Sequence, residues 1–252
     1  MTRRMSATQH AKARVGAGRV PRSGRFHDQR PNDLRDAAPW HRLAYIVRTL
    51  PHSISGLVGQ LDYPPEAEIL DFGCADSPYR HLFPSDVRYV GADLPGNPNA
   101  ELSVGRDGTV PVADGSFDLV LSTQVLEHVE APDVYLAECE RVLKPGGQML
   151  LSTHGIMAYH PDPVDFWRWT CAGLQRAVQD AGFEIERFEG IMGLTATGLQ
   201  LVQDSLYYRL PALLRPCLAV LLQSLIALAD RLETRESKTL NALVFALIAR
   251  KP

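Results

Sequence analysis

The chain has 252 residues, 45% of them hydrophobic and 22% charged, with a formal net charge of −3. That balance suits one soluble α/β domain with added segments and a full core. Its four cysteines (Cys74, Cys139, Cys171, Cys217) lie far apart with no C-x-x-C pair. They speak against zinc and against a disulfide framework, and so for a reducing compartment.

Residues 1–36 form a basic tail. Nine Lys or Arg stand in residues 1–35 (Arg3, Arg4, Lys12, Arg14, Arg19, Arg22, Arg25, Arg30, Arg35) against Asp28 and Asp33, so the remainder is acidic. Such a tail reads as an arm for nucleic acid or anionic membrane, or as a solvated, disordered leader. The leader is preferred, because Phe26 is its only aromatic and stacking on bases needs more. No N-terminal apolar stretch looks like a signal peptide. Next, Pro39–Leu50 predicts an amphipathic helix with Pro39 near its start. Trp40, Leu43, Val47 and Leu50 share one face, for core packing or as a lid.

The stretch Glu68–Arg80 (EILDFGCADSPYR) organises the rest. Ile69, Leu70 and Phe72 make a buried strand that ends at Gly73 and a small polar turn. Gly73 allows backbone angles and close approach that a side chain would block. Ala75 and Ser77 replace the further glycines of a dinucleotide loop, and Asp71 and Asp76 would repel a pyrophosphate. A ligand with an ammonium and a sulfonium suits them, and S-adenosylmethionine has both. The strand-end acid and glycine resemble the first motif, D-x-G-x-G-x-G, of class I S-adenosylmethionine-dependent methyltransferases. Asp71 and Gly73 match it; Ala75 and Ser77 depart from it. A second strand near 87–92 ends at Asp93, 20 residues past Gly73, where a carboxylate can accept hydrogen bonds from a ribose diol. The resemblance assigns Asp71, Gly73, Cys74, Ala75, Asp93 and Leu94 to the cofactor.

A short third strand near 101–104 precedes Asp107-Gly108, which the resemblance places at the adenine amino group. The fourth strand, around Phe117–Leu121, leads into STQVLEHV (122–129). This segment resembles ubiquinone-biosynthesis and related small-molecule methyltransferases, which implies Ser122 and Gln124 beside the methionine half of the cofactor. Small-RNA 2′-O-methyltransferases hold magnesium on a related Glu-x-x-Glu-His motif. Here Gln124 stands at the first Glu, and a neutral amide is a poor ligand for a hard cation. Glu127-His128 is therefore read as structural, with no metal. A helix over 132–143 stops at Lys144-Pro145-Gly146-Gly147, and a fifth strand follows at 148–153.

The stretch 153–170 then carries the densest chemistry. A loop at a strand's carboxyl end faces the ligand crevice of an open sheet. His154 and His160 are the candidate bases, with Asp165 as an orienting carboxylate. Tyr159, Trp167 and Arg168 are the candidate substrate contacts. A helix near 171–181, a strand near 183–189 and a last strand at 242–250 complete the alternation.

The expected fold is α/β, a Rossmann-like, seven-stranded, mostly parallel sheet with helices on both faces and an antiparallel last strand. Residues 37–193 and 241–252 make the methyltransferase domain. Residues 194–240 are a helical insertion that caps the site, forms a homodimer surface, or lies on a membrane through 210–229. The cysteine usage and the apolar insertion point to a cytoplasmic enzyme, or one peripheral at the inner face of the membrane. It would methylate an oxygen or nitrogen of a small molecule or glycan; nucleic acid is not favoured. A metal-assisted RNA 2′-O-methyltransferase and a non-catalytic methyltransferase-like binding protein remain the alternatives.

Overall fold

Seven strands make one sheet in the order β3-β2-β1-β4-β5-β7-β6 in the computed structural model, which describes residues 37–160 and 164–252. The strands are β1 (Glu68–Phe72), β2 (Arg88–Asp93), β3 (Leu102–Ser103), β4 (Phe117–Thr123), β5 (Leu143–His154), β6 (Glu184–Gly193) and β7 (Ala242–Arg250). β7 runs antiparallel to both β5 and β6; the other pairings are parallel. The basic segment 1–36 lies outside the described residues.

The helices are α1 (Ala44–Val58), α2 (Pro132–Val142), α3 (Cys171–Asp180), α4 (Leu194–Tyr207), α5 (Arg215–Leu232) and α6 (Arg235–Leu240). The central strands are apolar on both sides because helices cover both faces. Leu70, Phe72 and Val120 pack with Leu136 and Val142 of α2 and with Leu174 and Val178 of α3. Ile69, Leu119 and Leu121 pack on the opposite face with Ile54 and Leu57 of α1, Ala196 of α4 and Ile226 of α5. Pro132 opens α2, and the Thr170 hydroxyl caps α3 by accepting from the Gly173 N–H.

α1 departs from expectation. Residues 39–43 are turns, the helix starts at Ala44, and it passes through Pro51 to Val58. Pro51 removes one backbone donor, but Ile54, Leu57 and Val58 beyond it are buried, so tertiary packing overrides the break. Trp40 does not share a core face with Leu43 and Val47; it is 58% exposed. The segment after β6 holds α4, α5, α6 and a short 3-10 turn at Ala212–Leu214. Gln200 and Gln203 of α4 and Gln223 of α5 all donate to one acceptor, the Arg42 carbonyl, at 3.1, 2.6 and 2.9 Å. Tyr45 adds a hydroxyl bond of 2.7 Å to Asp230. These bonds fix the start of α1 to the two helices.

Candidate active site

The crevice opens at the carboxyl ends of β1 and β4, where the strand order reverses. That is where an open α/β sheet binds its ligand. The loop after β1 folds tightly. Gly73 has φ +85°, and a Cβ there would lie 2.5 Å from a methyl of Val125, so glycine is required by both conformation and space. Ala75 and Ser77 take φ 48° and 53°, the left-handed geometry that glycine adopts without cost. Where the sequence departs from the glycine motif, the backbone thus takes angles that favour glycine. Ala75→Gly should therefore stabilise the fold by about 1 kcal/mol. Chemical denaturation would measure this; an unchanged or lowered midpoint would show that the loop carries no such strain.

Asp93 ties this loop to the one after β2. Its carboxylate accepts from the N–H of Ala75 (3.0 Å) and Leu94 (2.7 Å) and from the Asn97 amide (2.6 Å). Three of its roughly four acceptor positions are thereby used, so a ribose diol finds one there rather than two. Leu94 is 59% exposed next to it. Asp107 and Gly108 lie in the turn after β3, on the same edge of the sheet. The Asp107 carboxylate accepts from the hydroxyl and N–H of Thr109, which hold its pKa down.

Asp93, Leu94, Asp107 and Gly108 lie outside the cavity lining, and two further expected cofactor residues, Asp71 and Ser122, are buried outside it. Asp71 is buried beneath the loop and outside the cavity lining, where Tyr89 donates to it at 2.6 Å. Burial pushes its pKa up to about 7, against the Tyr89 bond. Ser122 is fully buried, its hydroxyl accepting from Tyr135 at 2.8 Å; its neighbours Thr123 and Gln124 line the cavity instead. Cys74 lines the wall, and burial pushes its thiol up to about 11.

The cavity holds about 240 Å³. It runs from the loop Gly73–Asp76 past Thr123 and Gln124 to Glu127, His128, His154 and His160, under a roof of His41–Leu43, Val47 and Leu50. Leu43, Val47 and Leu50 thus line the cavity, and Val47 also packs in the core beside Leu43. The three histidine rings form a triangle with centroids 5.9 to 6.3 Å apart. Sequence reasoning set Glu127 aside as structural, yet it lies at the centre of this group. It has no exposed surface, and its Oε2 accepts from the Thr153 hydroxyl at 2.8 Å. Its Oε1 lies 3.2 Å from His154 Nε2, out of line for a hydrogen bond, and has no hydrogen-bond partner. His154 Nδ1 is likewise buried and unpartnered. Burial raises the Glu127 pKa to about 7 and holds His154 well below its ordinary value. The Glu-His dipeptide after β4 was the available signal for this centre.

The loop after β5 is clipped together by Arg168, which corrects its expected role as a substrate anchor. Its guanidinium donates to both oxygens of Asp165 and to the carbonyls of Met157, Ala158 and Trp167. Asp165 also takes the His160 N–H, so it orients the loop backbone and not an imidazole. Burial alone would raise the Asp165 pKa, but Arg168 and the His160 N–H hold it down. Trp167 donates to the Val129 carbonyl at 2.7 Å, and Tyr159 is 50% exposed; neither lines the cavity. His154 and His160 do reach it, as expected.

The residues present fit S-adenosylmethionine. The glycine-anchored loop and Thr123-Gln124 form a walled recess of suitable edge and polarity, and Asp93 stands at the end of the adjacent strand. A sequence profile described as "Methyltransferase domain" matches residues 70–151. A "Probable S-adenosylmethionine-dependent methyltransferase" of Mycolicibacterium smegmatis is 32% identical over 141 residues, covering 49% of this chain and 54% of that protein. A "Ubiquinone biosynthesis O-methyltransferase" of Cereibacter sphaeroides is 35% identical over 102 residues, covering 34% and 40%. The chain thus spans about half the length, or less, of these relatives. Among solved structures, the 4+2 cyclase SpnF superposes with a TM-score of 0.52 at 18% identity, covering 79% of this chain and 80% of that one. That likeness shows the fold. Residues 70–151, the centre of this seven-stranded sheet, thus match a methyltransferase domain, and the curated relatives that the chain resembles are S-adenosylmethionine-dependent methyltransferases.

Proposed function

We propose that the protein transfers a methyl group from S-adenosylmethionine to an oxygen or nitrogen of a small molecule or glycan. The observation that carries this reading is Glu127, a buried cavity-lining carboxyl whose Oε1 makes no hydrogen bond while lying 3.2 Å from His154 Nε2 and 3.9 Å from His128 Nε2. A buried acceptor without a donor is costly, and an incoming hydroxyl or amine would satisfy it. When bound, S-adenosylmethionine supplies an electrophilic methyl carbon on a good leaving group. The chain's residues do the rest. The cavity roof and the loop after β5 exclude water and hold the acceptor in line. Glu127 and His154 receive the proton that the acceptor's O–H or N–H gives up as the new C–O or C–N bond forms. With a carboxyl pKa near 7 beside a neutral imidazole, the pair can take a proton at neutral pH.

The O-methyltransferase name of the Cereibacter relative supports oxygen over nitrogen. Four free cysteines among the described residues support a reducing compartment such as the cytoplasm.

Calorimetry with S-adenosylhomocysteine tests the reading first, followed by transfer of labelled methyl to a panel of phenols, amines and glycans. Asp93→Ala should weaken binding about tenfold or more with the fold intact, because it frees Ala75 N–H and Asn97 as well as the ribose acceptor. No binding by the folded wild type would sink the methyl-transfer assignment and leave a binding protein.

A further inference from the structure

α5 carries an apolar face that none of the described residues covers. Its inner side (Ala219, Leu222, Gln223, Ile226, Asp230) is buried. Its outer side presents Leu214, Leu221, Leu225, Leu228 and Leu232 in one stripe, with Leu221 at 59% and Leu228 at 55% exposure. Trp40 stands against the same face, across a shallow groove lined by Pro216, Cys217, Val220 and Leu221. The segment Ala212–Leu232 is long and apolar enough to cross a membrane. A span would, however, strip Gln223 from the Arg42 carbonyl and Asp230 from Tyr45, Lys238 and the Gly193 N–H. The helix is therefore built to lie on a surface with one side only.

We propose that the outer face of α5, with Trp40, docks on an anionic lipid surface and sets the cavity mouth against it. Charge selects this occupant. Between residues 208 and 232 the charged residues are Arg209, Arg215, Asp230 and Arg231, and the acid among them is buried. Arg215 lies 5.6 to 5.7 Å over the rings of Tyr207 and Tyr208, which makes an aromatic and cationic rim at one end of the stripe; Arg231 is exposed at the other. Aromatic and basic rims beside an apolar stripe suit the headgroup boundary. The basic segment with nine Lys or Arg joins the described chain at Ala37, three residues before Trp40, so its charge is tethered at the edge of the patch. Two copies packed stripe to stripe would instead set arginines against arginines at both ends in either orientation. The three glutamines on the Arg42 carbonyl then connect the docked helix to the cavity roof at Arg42 and Leu43. This proposal stands independently of the transferred group.

Sedimentation with vesicles tests it, using the full chain. Wild-type protein should pellet with phosphatidylcholine vesicles containing about one third phosphatidylglycerol, and far less with phosphatidylcholine alone. Binding should fall as salt rises from about 0.05 to about 0.5 M. The doubly substituted Leu221→Asp, Leu228→Asp chain should lose at least tenfold in vesicle binding while keeping its affinity for S-adenosylhomocysteine. Both positions are exposed, so the core is untouched; if the double variant fails to fold, Leu228→Ser alone should still lower binding severalfold. The proposal is overturned if the wild type pellets with neither vesicle, or if the folded variant binds as well as the wild type. It is overturned equally if light scattering shows a wild-type dimer that the variant dissolves, since a second copy would then cover the stripe.

Discussion

Glu127→Gln should lower the turnover for methyl transfer by on the order of a hundredfold while leaving S-adenosylhomocysteine binding unchanged. The substitution keeps the shape of a fully buried side chain and keeps an acceptor for the Thr153 hydroxyl at Oε2. It removes the buried carboxylate oxygen that makes no hydrogen bond and lies beside His154. His154→Gln should cost a similar factor, and the double variant little more than either single one, because the two act on one proton. An anchoring role would look different: the Michaelis constant would rise while turnover held. Wild-type turnover and pH profile in both variants would remove the pair from the chemistry and leave catalysis to positioning.

Asp71 should make the protein less stable as pH rises. Its folded pKa of about 7 lies above the ordinary carboxylate value of 3.8, so between these limits the folded state binds more protons than the unfolded state. Stability then falls as pH increases from about 4 to about 7, the reverse of a salt-bridged acid. Asp71→Asn removes this penalty while keeping an acceptor for Tyr89, and should raise the melting temperature above pH 7 by on the order of ten degrees. Near pH 4 the gain should vanish. Melting curves at several pH values check this, and parallel behaviour of the two proteins across the range would sink it. The charge has a use, because a cationic ligand above the loop stabilises ionised Asp71. The same variant should therefore bind S-adenosylmethionine more weakly than the wild type at pH 8, and the two should converge at pH 5.

The sheet was legible because its strands are buried runs with clear punctuation. Ala242–Arg250 reads as one apolar strand and is one, and Gly73 and Asp93 mark the ends of β1 and β2. What the sequence hid is set by tertiary partners. The helix expected to end at Leu50 runs on through Pro51, because the buried residues after it carry it to Val58. Arg168 reads as an anchor, since no pattern tells that one loop's carbonyls will take its whole guanidinium. Glu127 reads as structural beside Gln124, because a ligand motif was sought and missing. Its isolation became visible only with Thr153 and His154 packed around it. Ala75 and Ser77 look like a lost motif, and only the backbone angles reveal that both positions are left-handed, as glycine positions often are.

The hairpin of β6 and β7 has an architectural consequence. Gly193 pairs directly with Ala242, so the chain leaves the sheet and re-enters it at neighbouring rungs of the same ladder. All of 194–241 is an excursion whose endpoints touch, and the sheet's connectivity is indifferent to what fills it. A different segment could fill that excursion, much as a cassette, without re-registering a single strand. Any replacement would have to cover the sheet face now packed by Ala196 and Ile226 and again supply the Arg42 carbonyl with donors.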